Sequence, residues 1–174
     1  MGDEVRAGLM RDAAEIREIY APYVETPVSF ENAVPSEEEV RRRIGKAHVW
    51  LVSECGGRVA GYAYASKHRE REAYHWSVES SVYVHRAFHR RGIGRRLYER
   101  LFSELRSRGF VNVYAGITLP NAASVALHQS FGFEPVGIFR HIGFKLGRWH
   151  DVGWWSHLLG KLPADPRRPD GSAH

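Results

Sequence analysis

The apolar positions of this chain alternate between two periods. Residues 5–10 read as a short strand, after which Ala13, Ile16, Ile19 and Tyr20 recur at helical spacing with Asp12 placed to cap the helix. Pro22 and Pro27 bound a loop that carries Phe30. Ser36 and Glu39 form a capping-box pattern that opens a charged helix through Glu37, Val40 and Ile44. Residues 48–54 alternate as a strand, Gly56-Gly57 turns the chain, and residues 59–66 return as a second strand. A basic segment, residues 67–71, leads past Tyr74 and Trp76. The third strand carries Val78, Val82 and Val84 on one face and Glu79, Ser81 and Tyr83 on the other.

The longest helical stripe follows: Ile93, Leu97, Leu101 and Leu105, widened by Tyr98 and Phe102, with Gly109 at the C′ position. Residues 111–117 predict another strand. Pro120-Asn121 starts a short helix through Val125, Leu127 and His128 that closes near Gly132. Residues 133–144 and 152–159 predict a final strand pair, and from Pro163 the chain is polar and Pro-rich, as expected of a mobile tail. The order of elements predicts a mixed α/β sheet with helices packed on its faces. One domain is expected over residues 1–162, with a flexible tail at 163–174 and no internal repeat.

A length of 174 residues suits one domain with a real core, and 43% hydrophobic residues is ordinary for a soluble globular chain. The net charge of +5 favours anionic ligands: nucleotides, acidic metabolites or nucleic acid. Much of the positive charge sits at residues 86–96 and at Arg167 and Arg168. The single cysteine, Cys55, excludes an intrachain disulfide and suits a reducing cytoplasm. No apolar run reaches membrane-spanning length, and the acidic N-terminus lacks the apolar stretch of a signal peptide. Among ten histidines, His85 and His89 show i, i+4 spacing, but in a strand-to-helix loop without a nearby cysteine, so no metal site is expected.

The chemistry concentrates at His89-Arg90-Arg91-Gly92-Ile93-Gly94-Arg95, between a strand and a helix. Two glycines one residue apart let the backbone approach a ligand, and the helix N-terminus aims unpaired N–H groups at it, which suits a pyrophosphate. Leu97 stands where a dinucleotide fingerprint needs its third glycine, and the Gly-Lys-Ser/Thr of a P-loop is absent. Taken alone, the pattern has a less favoured second reading, a tight turn with a solvated basic rim.

Its neighbours extend the pattern. Downstream lies Asn121-Ala122-Ala123-Ser124, on a helix that ends in Gly132-Phe133. The pair of motifs resembles the acyl-CoA-dependent N-acetyltransferases of the GNAT superfamily. Glu79-Ser80-Ser81-Val82-Tyr83-Val84, Leu119-Pro120-Asn121, Gly143-Phe144-Lys145 and Trp149-His150-Asp151-Val152-Gly153 are similar to one branch, the phosphinothricin and methionine sulfoximine or sulfone N-acetyltransferases, over roughly residues 4–160. His89 departs from the Gln or Arg usual at its position, Gln129 from a common Glu, and Leu146 from a His of some relatives.

The resemblance implies a GNAT fold, a mostly antiparallel central sheet flanked by helices, and acetyl-CoA as co-substrate. It places the pyrophosphate on Arg90, Arg91, Gly92, Ile93, Gly94 and Arg95. The pantetheine arm would lie against Val82, Tyr83 and Val84, with Asn121 and Ser124 on its other side. An amino acid's amine is mostly ammonium at neutral pH, so a base must take its proton. The resemblance gives Glu79 that role and His128 a second one, as proton relay or substrate-orienting group. Read without it, Glu79 is equally a half-exposed strand carboxylate, and His128 a helix-face histidine bonded to backbone. Phe30, Tyr64, Arg69, Arg71 and Tyr74 match substrate-facing positions, where arginine forks suit acidic groups; the alternative is a solvated basic loop.

The expected partners are a small amino-acid-like substrate and a second copy in a homodimer, with no membrane, nucleic acid or metal. Two rivals remain. One is an acetyltransferase for another amine, a polyamine or protein N-terminus; a polyamine site would be acid-lined, whereas residues 67–75 are mainly basic. A nucleic-acid-binding module would make the glycine spacing a coincidence and lacks a base-stacking platform.

Overall fold

The computed structural model describes residues 4–169. Its elements are β1 (Glu4–Ala7), α1 (Ala13–Val24), α2 (Glu37–Lys46), β2 (Val49–Cys55), β3 (Arg58–Lys67), β4 (Ser77–Val84), α3 (Ile93–Ser107), β5 (Asn112–Leu119), α4 (Ala122–Ser130), β6 (Glu134–Lys145) and β7 (Arg148–Leu158). The seven strands form one sheet in the order β1-β2-β3-β4-β5-β7-β6. Every neighbouring pair is antiparallel except β4 and β5, which run parallel. This is the GNAT fold that the motifs imply.

Both faces of the sheet are covered, so its inner strands bury both sets of side chains. Along β2, Val49 and Leu51 join the core beneath α3, while Trp50 and Val52 face α1 and α2. The α3 stripe is fully used: Ile93, Leu97, Tyr98, Leu101, Phe102 and Leu105 are all buried. At roughly 1.5–3 kcal/mol for each fully buried large apolar side chain, this helix is a main support of the glycine turn at its N-terminus.

Some local expectations need correction. The first strand ends at Ala7, and residues 10–12 form a 3-10 turn instead. Asp12 makes no side-chain cap for α1; its carboxylate takes two hydrogen bonds from Arg6 and one from the Leu9 N–H. Pro22 lies inside α1, because packing of Ile19, Tyr20 and Val24 outweighs the lost backbone bond in the last turn. The Ser36 hydroxyl does accept from Glu39 N–H, but the Glu39 carboxylate turns to Arg42 and Arg43. Phe133 precedes β6, packed in the core, and the last strand starts at Arg148. In the segment expected to be a mobile tail, the Arg167 carbonyl accepts from the Trp76 indole at 2.9 Å. Residues 170–174 of that tail lie outside the described residues.

Candidate active site

The parallel pairing of β4 with β5 is short. It runs Ser77–Asn112, Val78–Val113 and Glu79–Tyr114, and then stops. Both strands continue, to Val84 and Leu119, without pairing to each other. Glu79 is therefore the last paired residue before the sheet forks. Past it, backbone groups on one edge of β4 are left for another partner.

Three adjoining cavities run through this fork. On one side, about 590 Å³ lies between β4, the glycine turn and α4, lined by Val82, Tyr83, Val84, Gly92, Gly94 and Leu127, among others. A small wedge of about 60 Å³ follows, between residues 80–83 and 115–118, with Asn121, Ser124 and His128 on its wall. The third cavity, about 580 Å³, is lined by Phe30, Tyr64, Glu79, Phe139, Ile142 and Trp154, among others. The wedge shares Val82, Tyr83, Asn121 and Ser124 with the first cavity and Ser80, Ser81 and Tyr83 with the third.

The glycine turn has the form that an anion cradle needs. Gly92 sits at φ +73° as the N-cap of α3, a conformation that side-chain-bearing residues rarely adopt. Its carbonyl accepts the first helical bond from Arg96. The amides of Ile93, Gly94 and Arg95 thus have no intrahelical acceptor and point out of the helix end. A Cβ on Gly94 would meet Leu127, Val82 and Val84 at 3.5–3.8 Å, so a larger side chain would enter the groove itself. Arg95 stacks on Phe131 and Arg91 on Phe88, which leaves both cations at the rim. These features fit a CoA pyrophosphate and pantetheine arm.

His89 lies on the wall of this groove. Its Nε2 lies 3.0 Å from the Val84 carbonyl, which also accepts from the Tyr23 hydroxyl at 2.7 Å. His89 thereby ties the turn to the end of β4. Asn121 caps α4 by accepting from the Ser124 N–H at 3.1 Å.

Glu79 is half-buried. Burial pushes its pKa above the ordinary carboxylate value, and the Arg69 charge opposes that shift. His68, which sequence reasoning did not single out, lies with Nδ1 3.5 Å from Glu79 Oε1 and its ring stacked on Tyr114. Trp154 was also missed; it lines the third cavity, and its buried indole N–H has no hydrogen-bond partner among the described residues. Neither carried a spacing signal, since one lies in a loop and the other in a run of aromatic strand residues.

His128 is buried, with Nδ1 2.7 Å from the Ser124 carbonyl and Nε2 3.0 Å from the Tyr98 hydroxyl. A carbonyl can only accept, so Nδ1 carries the proton and Nε2 accepts from Tyr98. Burial lowers its pKa, partly offset by the Ser124 carbonyl, and the ring is neutral. His128 is thus the backbone-bonded histidine of the alternative reading, placed on the wall of the wedge.

The structure gathers Phe30, Tyr64 and Glu79 around one cavity and does not bring Arg69, Arg71 or Tyr74 onto its wall. Both arginines are exposed, and Tyr74 borders a separate cavity with Lys67, His75 and Arg108. The loop after β3 has no periodic packing to fix where its side chains point.

The fork thus joins a groove that fits CoA to a second cavity with the Glu79 carboxylate on its wall. The family comparison agrees: a model described as an acetyltransferase (GNAT) domain matches residues 5–154, and the chain belongs to that family. It is an acetyl-CoA-dependent N-acetyltransferase. Over 168 residues it is 40% identical to the phosphinothricin N-acetyltransferase of Streptomyces viridochromogenes, covering 94% of this chain and 91% of that one. It is 42% identical to an L-methionine sulfoximine/L-methionine sulfone acetyltransferase of Salmonella typhimurium over 114 residues, 66% of each chain. Among solved structures, a GNAT superfamily phosphinothricin acetyltransferase from Sinorhizobium meliloti in complex with acetyl-CoA superposes with a TM-score of 0.89 at 35% identity, covering 95% and 94% of the two chains. No helix among the described residues is long and apolar enough to cross a membrane.

Proposed function

We propose that this enzyme acetylates the α-amine of a small amino-acid-like substrate of the phosphinothricin, methionine sulfoximine or methionine sulfone type, by direct transfer in a ternary complex. The observation that carries this reading is the position of Glu79, at the fork and on the wall of the 580 Å³ cavity. Acetyl-CoA would supply the activated acetyl group: as the C–N bond forms the C–S bond breaks, and CoA leaves as its thiol after taking up a proton. Glu79 takes a proton from the acceptor's ammonium, so that the amine presents a free lone pair. The amides of Arg91 through Arg95 and the edge of Val82, Tyr83 and Val84 hold the co-substrate, with Arg90, Asn121 and Ser124 beside it. His128 orients the groups across the wedge. Phe30 and Tyr64 form part of the acceptor's walls. Cys55 lies in the β2–β3 hairpin, outside the three cavities, and serves as no acyl carrier.

An acidic group on the acceptor meets Arg69 and Arg71 from the exposed loop rather than inside the cavity. A second reading, a cationic acceptor such as a polyamine, has one observation in its favour. The cavity wall carries Glu31 and Glu79 and no lysine or arginine. The Glu31 charge is already answered by Arg43 at 2.7 and 3.2 Å, which weakens that reading.

The partner of this chain is a second copy of itself, in a cytoplasmic homodimer. Support comes from the exposed apolar residues Val136, Ile138, Ile142, Phe144, Leu146 and Trp149 of the β6–β7 hairpin.

Acetyl-CoA-dependent thiol release across phosphinothricin, methionine sulfoximine, methionine sulfone and spermidine tests the substrate class. Arg71→Ala should lower kcat/KM for the acidic acceptors roughly 10- to 100-fold, the size of a charge-assisted contact, and spare spermidine. A wild-type preference for spermidine, or an unchanged ratio in the variant, removes the amino-acid reading and leaves the N-acetyltransferase.

A further inference from the structure

Lys145 is the last residue of β6 and only 7% exposed. A strand-end lysine ordinarily extends to solvent, and burying an ammonium is costly unless its hydrogens are taken up. Here they are. Nζ lies within 2.5–3.0 Å of four backbone carbonyls, those of Val24, Thr26, Ser29 and Glu31. Three N–H bonds are shared among four acceptors, all in the segment that leaves α1. Val24 ends that helix, where carbonyls lack helical partners. One cation thus gathers a loop that has no regular structure of its own.

Two of the four carbonyls flank Phe30. The Phe30 ring lies against the same β6 segment, so closely that a Cβ on Gly143 would stand 2.3 Å from it. The His150 ring is 6.2 Å away, and His150 Nε2 lies 3.0 Å from the Lys145 carbonyl. Phe30 and its neighbours Val28, Ser29 and Glu31 all line the acceptor cavity. The hairpin end that carries Gly143 and Lys145 therefore builds this wall from behind.

We propose that Lys145 is a specificity-determining positioning residue: its ammonium holds the 24–31 segment so that Phe30 forms the wall against which the acceptor's side chain packs. This rests on the acceptor-site reading of the 580 Å³ cavity. Lys145 is not itself among the residues that line the cavity; it holds the backbone of Ser29 and Glu31 from behind the wall. Its loss should therefore weaken acceptor binding and leave the chemical step intact.

The test is a double-mutant cycle of Lys145→Met and Phe30→Ala in the full chain. Each single variant should raise KM for the amino-acid acceptor about 10-fold, and in Lys145→Met kcat and the KM for acetyl-CoA should stay within about 3-fold of wild type. If Lys145 acts through Phe30, the double variant is no worse than the poorer single one; additive losses overturn the proposal. Amide hydrogen exchange gives a readout independent of turnover. Exchange at residues 28–31 should speed up at least 10-fold in Lys145→Met while β5 stays protected, and unchanged exchange overturns the proposal. Should Lys145→Met fail to fold, Gly143→Ala displaces the Phe30 ring with the ammonium in place and should give the same rise in KM. A wild type that acetylates none of the acceptors defeats the acceptor-site reading instead, and the exchange measurement then decides whether Lys145 anchors the segment.

Discussion

Nδ1 of His68 lies 3.5 Å from Oε1 of Glu79. Burial lowers the pKa of His68, and the Arg69 charge lowers it further, so the ring beside the base is neutral. Burial raises the pKa of Glu79, against the opposing pull of Arg69. A base must be ionised to accept a proton, so if Glu79 fills the proposed role the acid limb of the kcat profile should lie above the ordinary carboxylate value of 4.5. Arg69→Ala removes the charge that holds the carboxylate down. The acid limb should then move to higher pH with the plateau rate little changed. Glu79→Gln should lower the plateau roughly 10²-fold or more without changing acetyl-CoA affinity. A limb that stays in place in Arg69→Ala would take Arg69 out of the base's field.

Gly94→Val should abolish acetyl-CoA binding while the fold survives. The space where a Cβ would project is bounded by Leu127, Val82 and Val84, and the helix backbone there tolerates a side chain. The added methyls therefore fill the groove rather than strain the turn. Calorimetry with acetyl-CoA and a circular dichroism melt separate the two effects. Near-normal affinity would remove the anion cradle from residues 91–95.

Asp12 gives the fold a pH dependence at the acid end. Burial alone would raise its pKa, but the Arg6 guanidinium and the Leu9 amide outweigh burial and hold it below the ordinary 3.8. A depressed carboxylate pKa contributes stability above the unfolded value and loses it as pH falls through the folded one. Asp12→Asn should cost about 1.5–3 kcal/mol at pH 7, as for a hydrogen bond between charged groups. The gap from wild type should narrow as pH falls below the ordinary 3.8 and through the depressed native value. Urea titrations at pH 7 and pH 3 measure both; a constant gap would mean that packing, not charge, is what Asp12 supplies.

What the chain's pattern reveals follows from what is periodic. The α3 stripe reads directly because six residues share one buried face. The glycine turn reads because a positive φ at Gly92 leaves few alternatives to glycine. Register is different: nothing in the alternation of β4 marks Glu79 as the last residue paired to β5, and resemblance supplied its role. Arg69, Arg71 and Tyr74 lie in a loop whose side chains are aimed by tertiary contacts alone. Lys145 was hidden for the opposite reason. Its partners are carbonyls more than a hundred residues away in sequence, and a carbonyl leaves no trace in residue identity.

Tyr98 and His128 separate a proton carrier from an orienting group. Both imidazole nitrogens are engaged, Nδ1 by the Ser124 carbonyl and Nε2 by the Tyr98 hydroxyl. Burial first, against the carbonyl's opposing effect, keeps the pKa below 6.5. Two consequences follow. The unfolded chain takes up this proton near pH 6.5 and the native one only lower, so stability is present above that value and falls as pH drops through it. His128→Asn should flatten this decline in thermal melts between about pH 7 and pH 5. It should also lower stability at pH 7 by about 1–3 kcal/mol, because the Tyr98 hydroxyl is left buried with a poorer partner. In turnover, an orienting His128 predicts a kcat loss under about 10-fold with the acid limb unmoved, since Glu79 still sets it. A relay predicts otherwise: the limb shifts with His128, and the loss approaches that of Glu79→Gln. The pH profile of His128→Asn therefore assigns the role, and a displaced limb would make His128 part of the base.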